Sequence, residues 1–233
     1  MSRLAAASLA LTLLGCGGIV IGNGKLETRT VEVPAFSTLD VSSAIDVDAT
    51  IGPRSISIIA DENVLPFIES FVRDGALVLR VRDGLMIDRS TVRVVVSNDR
   101  FEGVSASGAS RVTAPMTPVP TLRLEASGAS TLRVSGIESS SVRLEASGAS
   151  TITLGGQATS ASLGASGASN VNGVGLFLEA ATVDVSGAST VRARTSKSIS
   201  GDVSGASTLE VSGAPAQLNV IATGASTVRR SAE

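Results

Sequence analysis

The sequence predicts an all-β protein whose main part is a right-handed parallel β-helix, a solenoid with coils of about 20 residues. Three observations support this prediction. A Ser-Gly-Ala-Ser motif recurs through the second half of the chain, apolar and polar residues alternate between its copies, and aromatic residues make up only 2% of the composition. An aliphatic core with so few aromatic rings suits a thin stack of strands better than a thick sandwich.

The motif has a nearly constant period. Its glycines are separated by 20, 20, 19, 20, 18 and 19 residues. They are Gly108, Gly128, Gly148, Gly167, Gly187, Gly205 and Gly224, the last in a Thr-Gly-Ala-Ser copy. Glycine adopts positive φ without steric cost, and Ala and Ser are small enough to stack on their copies in the next coil. We therefore expect each motif to form a corner of the coil.

The residues on both sides of a corner follow the pattern of half-buried strands. Val142 and Leu144 alternate with Arg143 and Glu145, and the alternation resumes beyond Gly148 with a shifted phase. A second Ser-Gly pair, at residues 135–136, marks another bend in the same period. Each period then holds two strands and two bends, which is one coil. Parallel crossovers are nearly always right-handed, so we expect the right-handed form.

The N-terminus has the composition of an export signal. Arg3 precedes an apolar run over residues 4–14, so we expect a signal peptide over residues 1–15. The residues Leu13-Leu14-Gly15-Cys16 resemble the bacterial lipobox, and this resemblance implies that Cys16 carries acyl chains such as palmitate. Cys16 is the only cysteine, so an intramolecular disulfide is impossible.

Two further expectations concern the anchor. The alternative to a lipoprotein is an uncleaved transmembrane helix over residues 4–21, although three glycines at residues 15, 17 and 18 weaken it. The lipobox resemblance, with Gly17 in place of an aspartate, implies the outer membrane. Residues 16–29 are then expected to comprise the lipidated cysteine and a flexible, glycine-rich spacer.

Two structured regions are expected to follow. Residues 30–100 are expected to form a β-rich region that caps the solenoid, and within it Asp74-Gly75 predicts a hairpin turn before Ala76–Val81. Residues 101–230 are expected to form the β-helix. Its last coil would leave an unpaired strand edge, which predicts either a partner-binding surface or a homo-oligomer contact at the C-terminal end.

Several segments, taken in order, resemble the head GIN domain family, whose members are often described as auto-transporter adhesins. They are Gly22-Asn23-Gly24, residues 41–47 (VSSAIDV), residues 60–68 (ADENVLPFI) and the Ser-Gly-Ala-Ser coils. The resemblance covers nearly everything after the spacer and implies a β-helical, non-enzymatic cell-envelope domain. Within residues 41–47, Ser43 stands where the family usually has a glycine.

The residue content argues against several chemistries. The chain has no histidine, which removes a Ser-His pair and an imidazole base. A Ser-Lys dyad could use only Lys25 or Lys197, and the serines are better explained as corner residues that bond to neighbouring coils. A net charge of −2 gives no electrostatic basis for nucleic-acid binding. We expect no cofactor.

Two outward columns allow binding hypotheses. Three residues before successive corner glycines stand Glu125, Glu145, Asp184 and Asp202, interrupted by Gly164. Stacked acids could bind calcium, but Arg123 and Arg143 lie on the same face and favour a solvated surface instead. Three residues after the glycines runs a mainly threonine column that could order ice. It consists of Arg111, Thr131, Thr151, Asn170, Thr190, Thr208 and Thr227. Strand propensity explains such a column equally.

Two classes of function remain after these exclusions. One is a structural or adhesive envelope lipoprotein that presents a rigid surface to a protein or cell-surface partner. The other is a polysaccharide-active enzyme on a β-helix. Coils of 18 to 20 residues leave no room for the long loops of such enzymes, so the sequence favours the non-enzymatic binding protein.

Overall fold

The computed structural model describes residues 18–231 and shows an all-β protein. The first part of the chain contains β1 (Gly18–Ile21), β2 (Leu26–Val31), β3 (Thr38–Val41), β4 (Ile45–Ile51), β5 (Ser55–Asp61), a short 3-10 helix (Leu65–Phe67), β6 (Ile68–Arg73), β7 (Ala76–Val81), β8 (Leu85–Asp88) and β9 (Val92–Asn98). The second part contains β10 (Gly103–Ala106), β11 (Arg111–Pro115), β12 (Val119–Ala126), β13 (Thr131–Ala146), β14 (Thr151–Ala165), β15 (Asn170–Val185), β16 (Thr190–Val203), β17 (Thr208–Ser212), β18 (Gln217–Ala222) and β19 (Thr227–Arg230).

The second part is a parallel solenoid of about six turns with coils of about 20 residues, which confirms the predicted fold class. Successive coils pair in parallel, for example Leu124 with Leu144 and Leu144 with Leu163. These leucines are at most 2% exposed, because every second residue of a strand points into the coil. The core is therefore a set of aliphatic columns that run along the solenoid axis.

The corner motifs have one geometry throughout. All seven glycines adopt φ between +68° and +76°. From the second corner onward, the alanine after the glycine donates its backbone N–H to the carbonyl of the previous corner glycine, as in the 2.7 Å bond from Ala149 to Gly128. The second serine of the motif is buried inside the corner; Ser130 Oγ, for instance, donates to the Ala106 carbonyl at 3.1 Å. These bonds confirm the prediction that the repeated serines are corner residues that bond to neighbouring coils.

The parallel ladder begins before the first motif. β10 pairs with β3, and β11 pairs with β4, in the same parallel register as later coils. β3 and β4 pair in turn with β7 and β9. The coil nearest the cap is therefore formed by β7 and β9, although β3 and β4 precede them in the sequence. The ladder from β9 through β4, β11, β13, β14, β15, β16 and β17 to β19 has eight steps. At strand spacing this corresponds to about 38 Å.

The two ends of the solenoid differ. At the first end, antiparallel β5 and β6 pair with β9 and β7, and β2 pairs with β5. The β6–β7 pair is the predicted hairpin, with Asp74 and Gly75 at positive φ. At the other end, β18 and β19 pair only with β16 and β17 among residues 18–231, so their outer edges are open there.

The predicted flexible spacer is wrong from Gly18 onward. β1 pairs in parallel with β8, and the Gly22 N–H donates to the Asp88 carbonyl at 2.9 Å. Asn63 Nδ2 donates to the Ile21 carbonyl at 2.8 Å, and the Asn23 N–H donates to Asn63 Oδ1. A Cβ on Gly22 would lie 1.9 Å from Asp61 Oδ2. These long-range contacts, which composition does not reveal, fix the segment to the cap.

Ser43 occupies the corner position of the first coil and has φ of +67°. A residue with a Cβ is strained in this conformation by about 1–2 kcal/mol, and a glycine would relieve that strain. Part of the gain in stability is lost again, because glycine also has a larger conformational entropy in the unfolded state. We expect Ser43→Gly to raise the free energy of unfolding by roughly 0.5–1 kcal/mol, measured by chemical denaturation. Ser42→Gly is the control, because Ser42 has no positive φ and this substitution should lower the stability instead.

Candidate functional site

A groove of about 810 Å³ runs along one side of the solenoid. It is lined by the same three positions of successive coils, because the strands are in register. These positions are residues 118–120, 138–140, 157–159, 177–179 and 194–196. The groove is thus a continuous feature of five coils, and the strand pairing shifts register beside it.

The central residue of each triplet belongs to one column of the ladder. Ser139, Ala158, Leu178 and Thr195 pair in sequence across β13, β14, β15 and β16, and Val119 continues the column on β12. All except Ser139 are at most 7% exposed. The residues before and after each central residue point outward and provide the chemical groups that a ligand would meet.

Phe177 is the prominent side chain of the groove. It is 54% exposed, and the guanidinium of Arg194, its register partner on the next coil, lies 4.3 Å from the centre of the ring. A cation over the face of a ring is attracted by the ring's quadrupole. The pair forms a flat, rigid surface with one apolar and one cationic component, which suits contact with a partner.

Polar groups surround this pair. Glu138 and Gln157 lie in the same outward column as Phe177, and Glu179 forms an ion pair with Lys197 at 2.7 Å. Thr195 is 1% exposed, and its Oγ1 has no hydrogen-bond partner among the described residues; the same holds for Ser139 Oγ. Both oxygens are shielded from solvent, so the groups that a ligand can reach are the outward residues on either side of them.

The acidic column considered for calcium is in register but consists of separate, solvated charges. Glu125 pairs with Glu145, and Asp184 pairs with Asp202, with Gly164 between the two pairs. Arg143 lies 3.3 Å from Glu145 and Arg123 lies 3.9 Å from Glu125. Residues 18–231 contain no group of three acidic, histidine or cysteine side chains placed to hold a metal ion. The contacts therefore favour the solvated-surface interpretation.

The threonine column also lies in register, from Arg111 to Thr227. The parallel outward column two residues later contains charged side chains, namely Arg133, Arg192, Glu210 and Arg229. A flat, regular array of hydroxyls is therefore absent from this face within the described chain. Strand propensity remains sufficient to explain the threonines.

Cys16 lies outside the described residues, as does most of the segment considered as an alternative transmembrane helix. Residues 18–21 of that segment form β1, a strand. In the part of the chain that the structure describes, no helix has the length and hydropathy needed to cross a membrane.

Sequence reasoning missed the groove. Phe177 is the only aromatic residue after Phe101, and it stands in an outward position of a chain that is poor in aromatics. Phe177 was therefore the one residue in the sequence that could have indicated a binding surface at this position. The groove residues of β13 and β14 follow a shift in pairing register between Val134 and Ile137, which the sequence alone does not reveal.

Comparison with known proteins identifies the family to which this parallel solenoid belongs. Residues 35–215 match the family model described as "Putative auto-transporter adhesin, head GIN domain". The chain belongs to this family, which confirms the resemblance seen in the sequence. Comparison with curated proteins found no match.

Three solved structures are similar in fold. A putative adhesin from Bacteroides fragilis has a TM-score of 0.82 at 19% identity, covering 91% of this chain and 99% of its own. A putative lipid binding protein from Parabacteroides distasonis has a TM-score of 0.72 at 12% identity, covering 92% and 100%. A putative adhesin from Parabacteroides merdae has a TM-score of 0.67 at 20% identity, covering 92% and 99%. At these identities the likeness establishes the fold alone, while the family supports an adhesin-like, non-enzymatic role at the cell surface or outside the cell.

Proposed function

We propose that this protein is an adhesin-like lipoprotein of the cell envelope, anchored through acylated Cys16, that binds a partner in the lateral groove. The observation that carries the proposal is the groove itself, in which the exposed Phe177, with the partly buried Arg194 stacked on its ring, stands among polar groups on five coils. Exposed aromatic and arginine side chains are the residues that most often dominate binding energy at interfaces.

Crosslinking in intact cells tests the groove. A photo-crosslinking residue at position 157, inside the groove, should give a discrete adduct, whereas one at Ser162, exposed on another face, should not. Phe177→Ala should remove the adduct at position 157. Phe67→Ala is the matched control, because Arg82 stacks on Phe67 in the same way at the cap. Equal adducts at positions 157 and 162, or an adduct that survives Phe177→Ala, would contradict the groove as the binding site.

The anchor has its own test. Because acylation replaces the signal peptide as the membrane attachment, Cys16→Ser should leave an unprocessed precursor or release the protein from membranes. The measurement is fractionation followed by mass spectrometry of the N-terminal peptide. A wild-type protein found free of lipid in the periplasm or medium would refute the anchor. For a cell with two membranes, Gly17 leads us to place the protein in the outer one.

We also infer a homo-oligomer contact at the open end of the solenoid. β18 has no charged residue, and Ile221 on it is 64% exposed. Uncharged open edges invite pairing with another strand. Ile221→Lys should therefore weaken self-association, measured by sedimentation of the soluble domain, while Ser162→Lys, exposed on the side of the solenoid and away from this end, controls for added charge. A wild-type domain that is monomeric at high concentration would exclude this contact.

A further inference from the structure

β1 and β8 form a small two-stranded sheet with one exposed, mainly apolar face, at whose edge the charged Asp88 pairs with Ile21. Ile19, Ile21 and Met86 are 66%, 55% and 68% exposed, and Ile19 pairs directly with Met86. The other face of this sheet carries Val20, Leu85 and Ile87, which pack against the core. The sheet therefore has an inner face that attaches it to the cap and an outer apolar face with no covering element among residues 18–231.

The position of this face in the chain is informative. β1 begins two residues after Cys16, and two residues span at most about 7 Å of extended chain. β1 is also held firmly, through its pairing with β8 and through the bonds of Ile21 and Gly22 to Asn63 and Asp88. Two residues of chain therefore limit how far Cys16 can be from the start of β1.

We propose that the outer face of β1 and β8 is a membrane-docking surface that inserts into the interfacial region of the bilayer holding the lipid on Cys16. This inference rests on the proposed acylation of Cys16. An acyl anchor brings the neighbouring apolar side chains to the membrane surface, where their burial adds to the binding of the chains. The cap is then held at the bilayer by two contacts, the acyl chains and the apolar face.

The charges near the face indicate how it binds. Asp88 and Arg89 lie 3.9 Å apart, and Lys25 lies 3.3 Å from Glu62. These charges are balanced and paired, so the face has no excess of positive charge for anionic headgroups. Docking should therefore depend on apolar insertion, with little sensitivity to salt or to anionic lipid.

Tryptophan fluorescence tests the docking surface, because the natural chain contains no tryptophan. Met86→Trp protein, purified from membranes with its lipid, is placed in phosphatidylcholine vesicles that contain brominated acyl chains. We expect a blue-shifted emission and loss of most of the fluorescence, unchanged by high salt. Ser162→Trp, on an exposed side of the solenoid, should keep its fluorescence. Ile19→Ser with Ile21→Ser in the Met86→Trp protein should restore much of the lost signal.

The outcomes separate the two proposals. If mass spectrometry shows no lipid on Cys16, the anchor fails and the docking surface fails with it. If Cys16 is acylated but the indole introduced by Met86→Trp is not quenched and emits as in water, the anchor stands and the docking surface is refuted. A blue-shifted emission from this indole that bromine does not quench would show that protein covers the face, and would equally refute membrane docking.

Discussion

Gly148→Val is expected to destabilise the domain by roughly 3–5 kcal/mol, the largest effect of any single substitution considered. Gly148 has φ of +73°, a conformation that β-branched residues almost never adopt. A Cβ there would lie 2.7 Å from the carbonyl oxygen of Gly128 and 3.0 Å from its nitrogen. Backbone atoms of a stacked coil cannot move aside locally, so strain and clash both act.

Chemical denaturation of the soluble domain measures this effect, and Gly155→Val is the matched control. Gly155 has no positive φ, and the nearest atom to its added Cβ is the Val134 carbonyl oxygen at 3.9 Å. We expect this control to change the free energy of unfolding by less than about 1 kcal/mol. If Gly148→Val unfolded at the same denaturant concentration as the wild type, the stacked-corner geometry would be contradicted.

Removing residues 218–233 is expected to cause aggregation, the second large effect. The deletion uncovers the next coil, in which Ile199, Val203 and Leu209 have no exposed surface. It also removes Arg229. Burial raises the pKa of Glu210, but hydrogen bonds from Arg192 and Arg229 outweigh burial and keep that pKa below its usual value. The truncation therefore exposes both an apolar coil and a carboxylate with one partner fewer.

Size-exclusion chromatography with light scattering follows the truncated domain. A shorter deletion, of residues 231–233, is the control because it leaves β18 and β19 intact, and it should behave as the full domain does. If the long deletion remains soluble and monomeric, an exposed coil edge is harmless in this protein. The oligomer contact at this end would then lose its physical basis.

The solenoid could be predicted because its determinants are local. A corner glycine such as Gly128 requires positive φ, and the alternation around Leu144 sets which side chains enter the core. The right-handed sense of the coil stays a prediction from the crossover rule. The hairpin at Asp74-Gly75 was equally local, since a two-residue turn carries its own signature.

The features that escaped prediction depend on contacts between distant residues. Gly22 has the composition of a flexible spacer, yet it packs against Asp61, which is 39 positions away. The groove depends on residues such as Phe177 and Arg194, which meet only because β15 and β16 are paired in a shifted register. Composition and period describe one coil at a time, whereas these features arise between coils.

The order in which the coils stack has a consequence for synthesis on the ribosome. β3 lies between β7, 38 residues later at Thr38 and Ala76, and β10, 65 residues later at Thr38 and Gly103. The capped end therefore cannot assemble until about half of the chain has emerged, and we expect this long-range closure to be the slow step of folding. Every later coil pairs with the one synthesised just before it, so the remainder of the rod can grow by one coil for every 20 or so residues translated.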